Sequence, residues 1–390
     1  MTSWKTYRVG EICDYVTSRT TNIENYISTE NMLPNKGGVC VPSNVPSGTA
    51  IEYNTGDILI SNIRPYFQKI WQADCDGACS ADVLCIRANN KADSKYLYYL
   101  LSQQLFFDYV MSGAKGCKMP RGDKKQIMHF EISLPSLAKQ RRIAGILSAI
   151  DDKIECNRRI NANLESQAQA LYKQWFVDFE FPNEEGKPYK SSGGKMVDSK
   201  LGQIPEGWRV GTLSDLANVT MGQSPNGKSF NENGNGIVFY QGRTEFGVRY
   251  PSIRLYTTEP TRYAEPMSVL LSVRAPVGDI NIATQRCCIG RGVASIKSKT
   301  DDNAYMYCCL KELRPQLDQY NGEGTVFGSI NRKELEGLAL CIPQYEIISK
   351  FNDIILGTDK QMLNLFQQTQ TLATLRDTLL PKLMNGEIKL

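Results

Sequence analysis

Apolar side chains recur at alternating spacings of four and three through the middle of this chain. The positions are Ile143, Leu147, Ile150, Ile154, Asn157, Asn161, Leu164, Ala168, Leu171 and Trp175. Such a run is the a/d seam of a coiled coil, and it predicts one long helix starting after Pro135–Ser136. The spacing returns about 208 positions later in Phe351, Ile355, Thr358, Met362, Leu365, Thr369, Leu372, Arg376, Leu379 and Leu383, with a few polar breaks. Pro381 is expected to end or kink this second helix near Leu380, because proline removes a backbone donor and its ring meets the preceding turn. Each helix would be a rod of roughly 55 Å, longer than one domain of ~130 residues is wide. Length therefore favours pairing of the two helices over each lying on its own domain. Asn157 and Asn161 in the seam would fix register at some cost in stability.

Ahead of each long helix lies a strand-rich stretch. Short runs such as "GDILISNI", "ADVLCIRA" and "GIVFYQG" are separated by Gly, Pro and Asn, which read as turns. A short helix rich in Tyr and Leu is expected near 95–110 and again near 304–319. The two stretches share a frame. Trp4 answers Trp208, and "GDILISNIRP" (56–65) answers "PMSVLLSVRAP" (266–276), with Arg64 over Arg274. "KYLYYLL" (95–101) answers "AYMYCCL" (304–310), Pro135 answers Pro343, and Asp151 answers Asp359. The fold class that follows is α+β: two globular α/β domains separated by an antiparallel two-helix coiled coil, in a pseudo-twofold internal repeat. The expected boundaries are 1–135 for the first globular domain, 136–180 for the first long helix, 181–207 for a linker, 208–343 for the second globular domain, and 344–390 for the second long helix and tail. The linker contains "PNEEGKPYKSSGGK" and reads as polar; at up to ~3.3 Å per residue its 27 residues could span a rod of this length.

Composition narrows the class. A chain of 390 residues with 41% hydrophobic and 22% charged residues suits a globular protein with two cores. No apolar run nears the ~18 residues of a membrane helix, and "MTSWKTYRVGE" lacks the apolar stretch of a secretory signal, so a cytoplasmic location and no membrane partner are expected. Twelve cysteines show no C-x-x-C pair, and the lone histidine is His129. Reduced, buried cysteines are expected rather than a metal site, and His129 reads as a partly buried polar residue near a strand start. No catalytic motif appears by spacing, and Asp151–Asp152 reads as a solvated helix face.

One motif matches in letters only. "GQSPNGKS" (222–229) fits the phosphate-loop pattern, but "FNENGNGIVF" follows it where a helix should start. The net charge of +4 does not announce nucleic acid by itself; local clusters say more. "GAKGCKMPRGDKK" (113–125) sets Lys115, Lys118, Arg121, Lys124 and Lys125 against Asp123. A Gly- and Pro-containing basic loop of this kind can follow a phosphate backbone. "GEGTVFGSINRKE" (322–334) occupies the same place in the second copy, with Ser329, Asn331, Arg332 and Lys333 suited to phosphates and base edges. Arg64, Tyr66, Gln241, Arg243 and Arg274 sit on or beside turns of the strand-rich parts and complete the candidate DNA-binding set.

These residues bring a family into view. "LPSLAKQRRIAGILSAIDDKIECNRRINANLESQAQALYKQWFVDFE" (134–180) resembles the central region of specificity subunits of type I restriction–modification enzymes. "DSKLGQIPEGW" (198–208) resembles that family's approach to its second recognition domain, and "MGQSPNGKSFNENGNGIVFYQG" (221–242) an early segment of such a domain. "TLLPKLMNGEI" (378–388) resembles its C-terminal signature. The resemblance covers essentially the whole chain. It implies two target recognition domains, each reading one half of a split, asymmetric site in double-stranded DNA. It also implies helices that set the unread gap and dock two methyltransferase subunits, with restriction subunits in the full complex. No catalysis and no cofactor are then expected in this chain; S-adenosylmethionine, ATP and magnesium would belong to its partners. Two other readings are a phosphate-loop NTPase, which ATP binding lost on Lys228→Ala would support, and a two-headed protein-binding scaffold.

Overall fold

The computed structural model describes residues 4–116, 118–322, 328–388 and 390. The chain forms two compact units that do not follow chain order. One comprises Met1–Glu155 with Thr369–Leu390, the other Cys156–Gln368. Both boundaries fall inside the long helices, Leu137–Tyr172 and Tyr345–Met384, so each unit owns part of both.

In the first unit a four-stranded antiparallel sheet runs in the order Cys13–Tyr15, Val83–Ala88, Ile58–Ser61, Ile70–Gln72. Ile58–Ser61 is buried at every residue, as a continuous apolar run requires of an inner strand. A smaller sheet joins Arg19–Thr20, Ala50–Tyr53 and Gly77–Cys79. Lys5–Arg8 pairs with Glu131–Leu134 just before the first long helix. Where one short helix was expected over 95–110 there are two, Ser94–Leu101 and Gln104–Ser112. The break is local: the Ser102 hydroxyl donates to the Tyr98 carbonyl at 2.5 Å and the Gln103 side chain to Leu100 at 3.2 Å, and Gln103 turns extended. Side-chain bonds of this kind compete with the backbone ladder.

The core of this unit joins Ile12, Ile86, Tyr96 and Leu97 to Ile143 and Leu147 of the first long helix, and to Leu380, Leu383 and Met384 of the second. Ile154 is also buried, while Ile150, Leu372 and Leu379 are half-buried. Of the two outcomes expected of Pro381, ending the second helix near Leu380 does not occur: the helix carries Pro381 inside it and runs on to Met384, with the Asn385 N–H donating to the Pro381 carbonyl at 3.0 Å. Proline in a last turn forfeits little of the ladder, and its cost of about 3 kcal/mol is outweighed by burial of three large side chains at ~1.5–3 kcal/mol each. Nor is Asp151 solvated. It accepts from the Tyr99 hydroxyl at 2.6 Å and pairs with Arg376 of the second helix at 2.8 Å, whereas Asp152 is exposed. Position 151 faces the opposing helix, which its neighbour does not.

The second unit repeats the plan. Its four-stranded sheet runs Ala217–Met221, Val293–Ser298, Val269–Ser272, Ile280–Ile282, and Arg209–Thr212 pairs with Ala339–Ile342. Its other sheet is larger, with five strands. Here too two helices, Asn303–Glu312 and Arg314–Asp318, replace the one expected over 304–319. Pro315 has no N–H with which to continue the first of them.

Phe351, Ile355 and Met362 pack with Tyr172, Trp175, Phe176, Trp208 and Tyr305 in the main core; Leu365 is buried, and Leu164 and Leu171 are half-buried against it. Asn157 donates to Gln368 at 3.5 Å and Asn161 to the Met362 carbonyl at 3.2 Å. Partner numbers fall as helix numbers rise, so the helix segments of this unit run antiparallel.

The 181–207 segment is not an extended span. Phe181 stacks on Tyr189 and Trp208 with ring centroids 4.6 and 5.1 Å away, and Met196–Ser199 pairs with Gly202–Pro205 as a hairpin. The apolar residues Phe181, Tyr189 and Ile204 anchor this polar sequence to the core, and Gly202 (φ 91°) takes the left-handed turn that a side chain would oppose.

Among the described residues all cysteines are free, but Cys40 and Cys156 are exposed rather than buried; Cys117 lies outside the described residues. His129 is exposed too, because it closes the short helix Lys124–Met128 and its Nδ1 meets the Lys125 carbonyl at 2.7 Å. No described helix is long and apolar enough to cross a membrane.

Candidate nucleic-acid interface

In the first unit the basic loop is a closed turn. Lys115 and Arg121 exchange two backbone hydrogen bonds of 2.9 Å, and the Arg64 N–H donates to the Pro120 carbonyl at 2.8 Å. An isolated bridge joins Ile63 to Arg121. The turn after the buried strand Ile58–Ser61, which carries Arg64 and Tyr66, is thus sewn to the loop that carries Lys115, Lys118 and Arg121. All five are exposed.

The turn itself is held firmly. Arg64 and Gln68 both adopt left-handed backbone (φ 50° and 49°), while the Asn35 and Lys36 N–H groups bond the carbonyls of Phe67 and Gln68 at 2.8 and 3.0 Å. Non-glycine residues in this region cost of order 1–3 kcal/mol each, and such strain gathers at functional sites. Between them Tyr66 and Phe67 expose 49% and 37% of their surface, with rings 4.6 Å apart.

The cations differ in what they already hold. Arg121 pairs with Asp82 at 3.0 Å and Lys115 with Asp123 at 3.3 Å. Asp123 also caps the next helix, accepting from the Lys125 and Gln126 N–H groups at 2.9 and 3.2 Å. Those backbone donors, then Lys115, hold its carboxyl below the usual range. Lys118, Lys124 and Lys125 are exposed and make no ion pair among the described residues.

The second unit repeats the stitch with different fillings. Arg274 bridges Ser329, the Ala275 N–H donates to the Gly328 carbonyl at 3.0 Å, and the Ile330 N–H to Val273 at 3.1 Å. Arg274, Ser329, Asn331, Arg332 and Lys333 are exposed on this loop pair; residues 323–327 of the expected loop lie outside the described residues. Asn331 is spoken for: it caps Arg332–Glu336 in a capping box, its side chain accepting from the Glu334 N–H at 3.0 Å. Its signal, Asn followed three residues on by Glu, stands in the sequence. Arg332 pairs with Glu336 at 2.8 Å. Gln241 and Arg243 are exposed near the strand Ile237–Tyr240 rather than on the loop pair, and Arg243 pairs with Asp279, which also takes Arg314 at 2.9 Å.

The letters of 222–229 make no phosphate cradle. Gly227–Ser229 is a single tight turn followed by a strand, and the Ser229 hydroxyl is taken by the Asn226 carbonyl and Thr257. Without a following helix there is no ring of free amides to meet a phosphate. Among the described residues no group of three His, Cys, Asp or Glu could hold a metal.

Comparison with known proteins returns the same duplication. The family described as "Type I restriction modification DNA specificity domain" matches twice, over residues 1–166 and 205–372. The chain belongs to this family. The MjaX specificity subunit of Methanocaldococcus jannaschii, named a putative type I restriction enzyme subunit, is 37% identical over 68% of this chain and 61% of its own length. The HindI specificity subunit of Haemophilus influenzae is 25% identical over 100% of both chains. The solved S subunit of a type I restriction–modification system from M. genitalium, at 16% identity, covers 98% of this chain and 96% of its own with a TM-score of 0.58, and so shares the fold. Neither the NTPase reading nor the scaffold reading finds support among these specificity subunits.

Proposed function

We propose that this chain is the DNA-reading subunit of a type I restriction–modification complex, non-catalytic by itself. It reads a bipartite site in double-stranded DNA, one half through each strand-rich domain, and docks two methyltransferase subunits, with restriction subunits in the full complex. S-adenosylmethionine, ATP and magnesium serve those partners, and the assembly works in the cytoplasm. The observation that carries this reading is the loop stitch made twice. In each unit the turn after the inner strand is bonded to the loop before the last short helix, and exposed cations and hydrogen-bonding groups line the pair. The frame is common and most of the side chains are not: Lys118, Arg121 and Tyr66 in one unit stand against Ser329, Asn331 and Lys333 in the other. Lysines suit phosphates, whereas arginine, serine and asparagine side chains can reach base edges.

Two similar readers on one face of a duplex favour half-sites about one helical turn apart, which leaves an unread gap of roughly 5–8 base pairs. Co-expression with the cognate methyltransferase, followed by genome-wide methylation mapping, tests this. The expected result is a two-part adenine motif with unlike halves. A continuous four- or six-base motif contradicts the bipartite reading, and a palindromic one contradicts the unlike halves.

A further inference from the structure

The two units pair the same helix carboxylate in different ways, half-buried in the first and buried in the second. Asp151 and Asp359 occupy matching positions of the repeat. In the first unit Asp151 takes its cation, Arg376, from the opposing long helix. In the second unit Asp359 takes its cation from the strand-rich domain: Arg249 reaches it at 2.7 Å. The same guanidinium also pairs with Glu165 of the first long helix, and it lies over the Tyr307 ring at 4.2 Å. Glu165 receives Lys311 at 2.6 Å. Arg249, Glu165 and Asp359 are 7%, 11% and 7% exposed at their side chains. Two cations and two carboxylates balance, so the cluster carries no net charge. Burial works to lower the pKa of Arg249, but Asp359 and Glu165 outweigh it and hold the guanidinium above its ordinary value.

An arginine fork shared by two helices differs from a greasy contact. Apolar packing tolerates sliding, but a guanidinium held by two carboxylates accepts one position and one angle. Replacing such a buried network with apolar groups is often neutral for stability, while removing only Arg249 leaves Asp359 buried without its cation and Glu165 with Lys311 alone. The geometry points to a role beyond stability. We infer that Arg249 is a positioning residue that fixes the aim of the second recognition domain on its two helix segments, and thereby sets the gap length the complex accepts. This rests on the DNA-reading function proposed above.

The test uses the assembled methyltransferase complex and duplexes whose gap matches the mapped motif or differs from it by one base pair. Arg249→Met alone should lower the melting temperature. The triple variant Arg249→Met, Glu165→Gln, Asp359→Asn should recover most of that loss and methylate the correct gap, yet discriminate against the wrong gaps roughly tenfold less well, since small misplacements are costly in rate. Arg249→Lys keeps the charge without the fork; it should fold and show the same relaxed gap, and it carries the test if the methionine variant does not fold. Wild-type gap discrimination in both the triple variant and Arg249→Lys overturns the inference and leaves the DNA-reading function standing. A wild-type complex with no two-part motif overturns both.

Discussion

At the scale of the residue, the cations of the two loops divide by whether the fold already uses them. Lys118, Lys124 and Lys125 are exposed and without ion pairs among the described residues, so their charge is free for phosphates. Alanine at all three should leave the fold intact, weaken DNA binding by the complex and flatten the dependence of log affinity on log salt by up to about 0.9 per lost phosphate contact. Titration between low and moderate salt reads this directly; an unchanged slope places the loop off the DNA. Asp279 makes a pH-dependent prediction. Burial pushes its carboxyl up, but Arg314 and Arg243 outweigh burial and hold it below the ordinary 3.8. A lowered carboxylate binds fewer protons folded than unfolded, so its stabilisation is present above 3.8 and fades as pH falls through the folded value. Asp279→Asn should therefore melt earlier than wild type at neutral pH, with the difference closing in acid. A difference that persists unchanged at pH about 3 counts against the pairing. The cations themselves were legible in the sequence; their carboxylate partners were not, because Asp82 and Asp279 lie 39 and 36 positions from Arg121 and Arg243. Asn331 stood in a readable capping signature, and structure and chemistry compete for that side chain.

At the scale of the element, the long helices were legible because their seam repeats over many turns. Leu137–Tyr172 and Tyr345–Met384 are 36 and 40 residues long, and a periodic signal of that length outlasts local exceptions. The short elements were not, since the breaks at Ser102–Gln103 and Pro315 depend on single side chains. The linker misled for a related reason: three apolar anchors decide its fold, and its average composition is polar. The two seam asparagines should separate on mutation. Asn157 is fully buried, and its one side-chain hydrogen bond among the described residues, to Gln368, is at the 3.5 Å limit. Asn161 is half-buried and bonds the Met362 carbonyl at 3.2 Å. An under-satisfied buried amide costs about 1–3 kcal/mol, so Asn157→Leu should raise the melting temperature. Asn161→Leu should gain less or nothing, having a sound bond to lose. Equal effects in thermal unfolding would refute the distinction.

At the scale of the whole molecule, the order of the chain and the order of the cores disagree. The C-terminal residues Leu380, Leu383 and Met384 complete the core that begins at Val9 and Ile12. Trp4 packs against the same cluster, and a Cβ added at Gly386 would stand 3.0 Å from the Trp4 ring, in a backbone conformation (φ +78°) that already favours glycine. The start and end of the described chain therefore meet inside one unit. A seam read along the sequence cannot show this, because the pairing of residues near 12 with residues near 383 leaves no local pattern. The consequence is measurable. Three large side chains buried at roughly 1.5–3 kcal/mol each are comparable to the ~5–15 kcal/mol that holds a typical domain folded. Removing residues 378–390 should thus expose the first unit to proteolysis and hydrogen exchange, although that unit is built almost entirely from the other end of the chain. The second unit contains none of these residues and should keep its protection. Equal loss in both units would show that they unfold together, and retained protection in the first would show that the helix end is dispensable to its core.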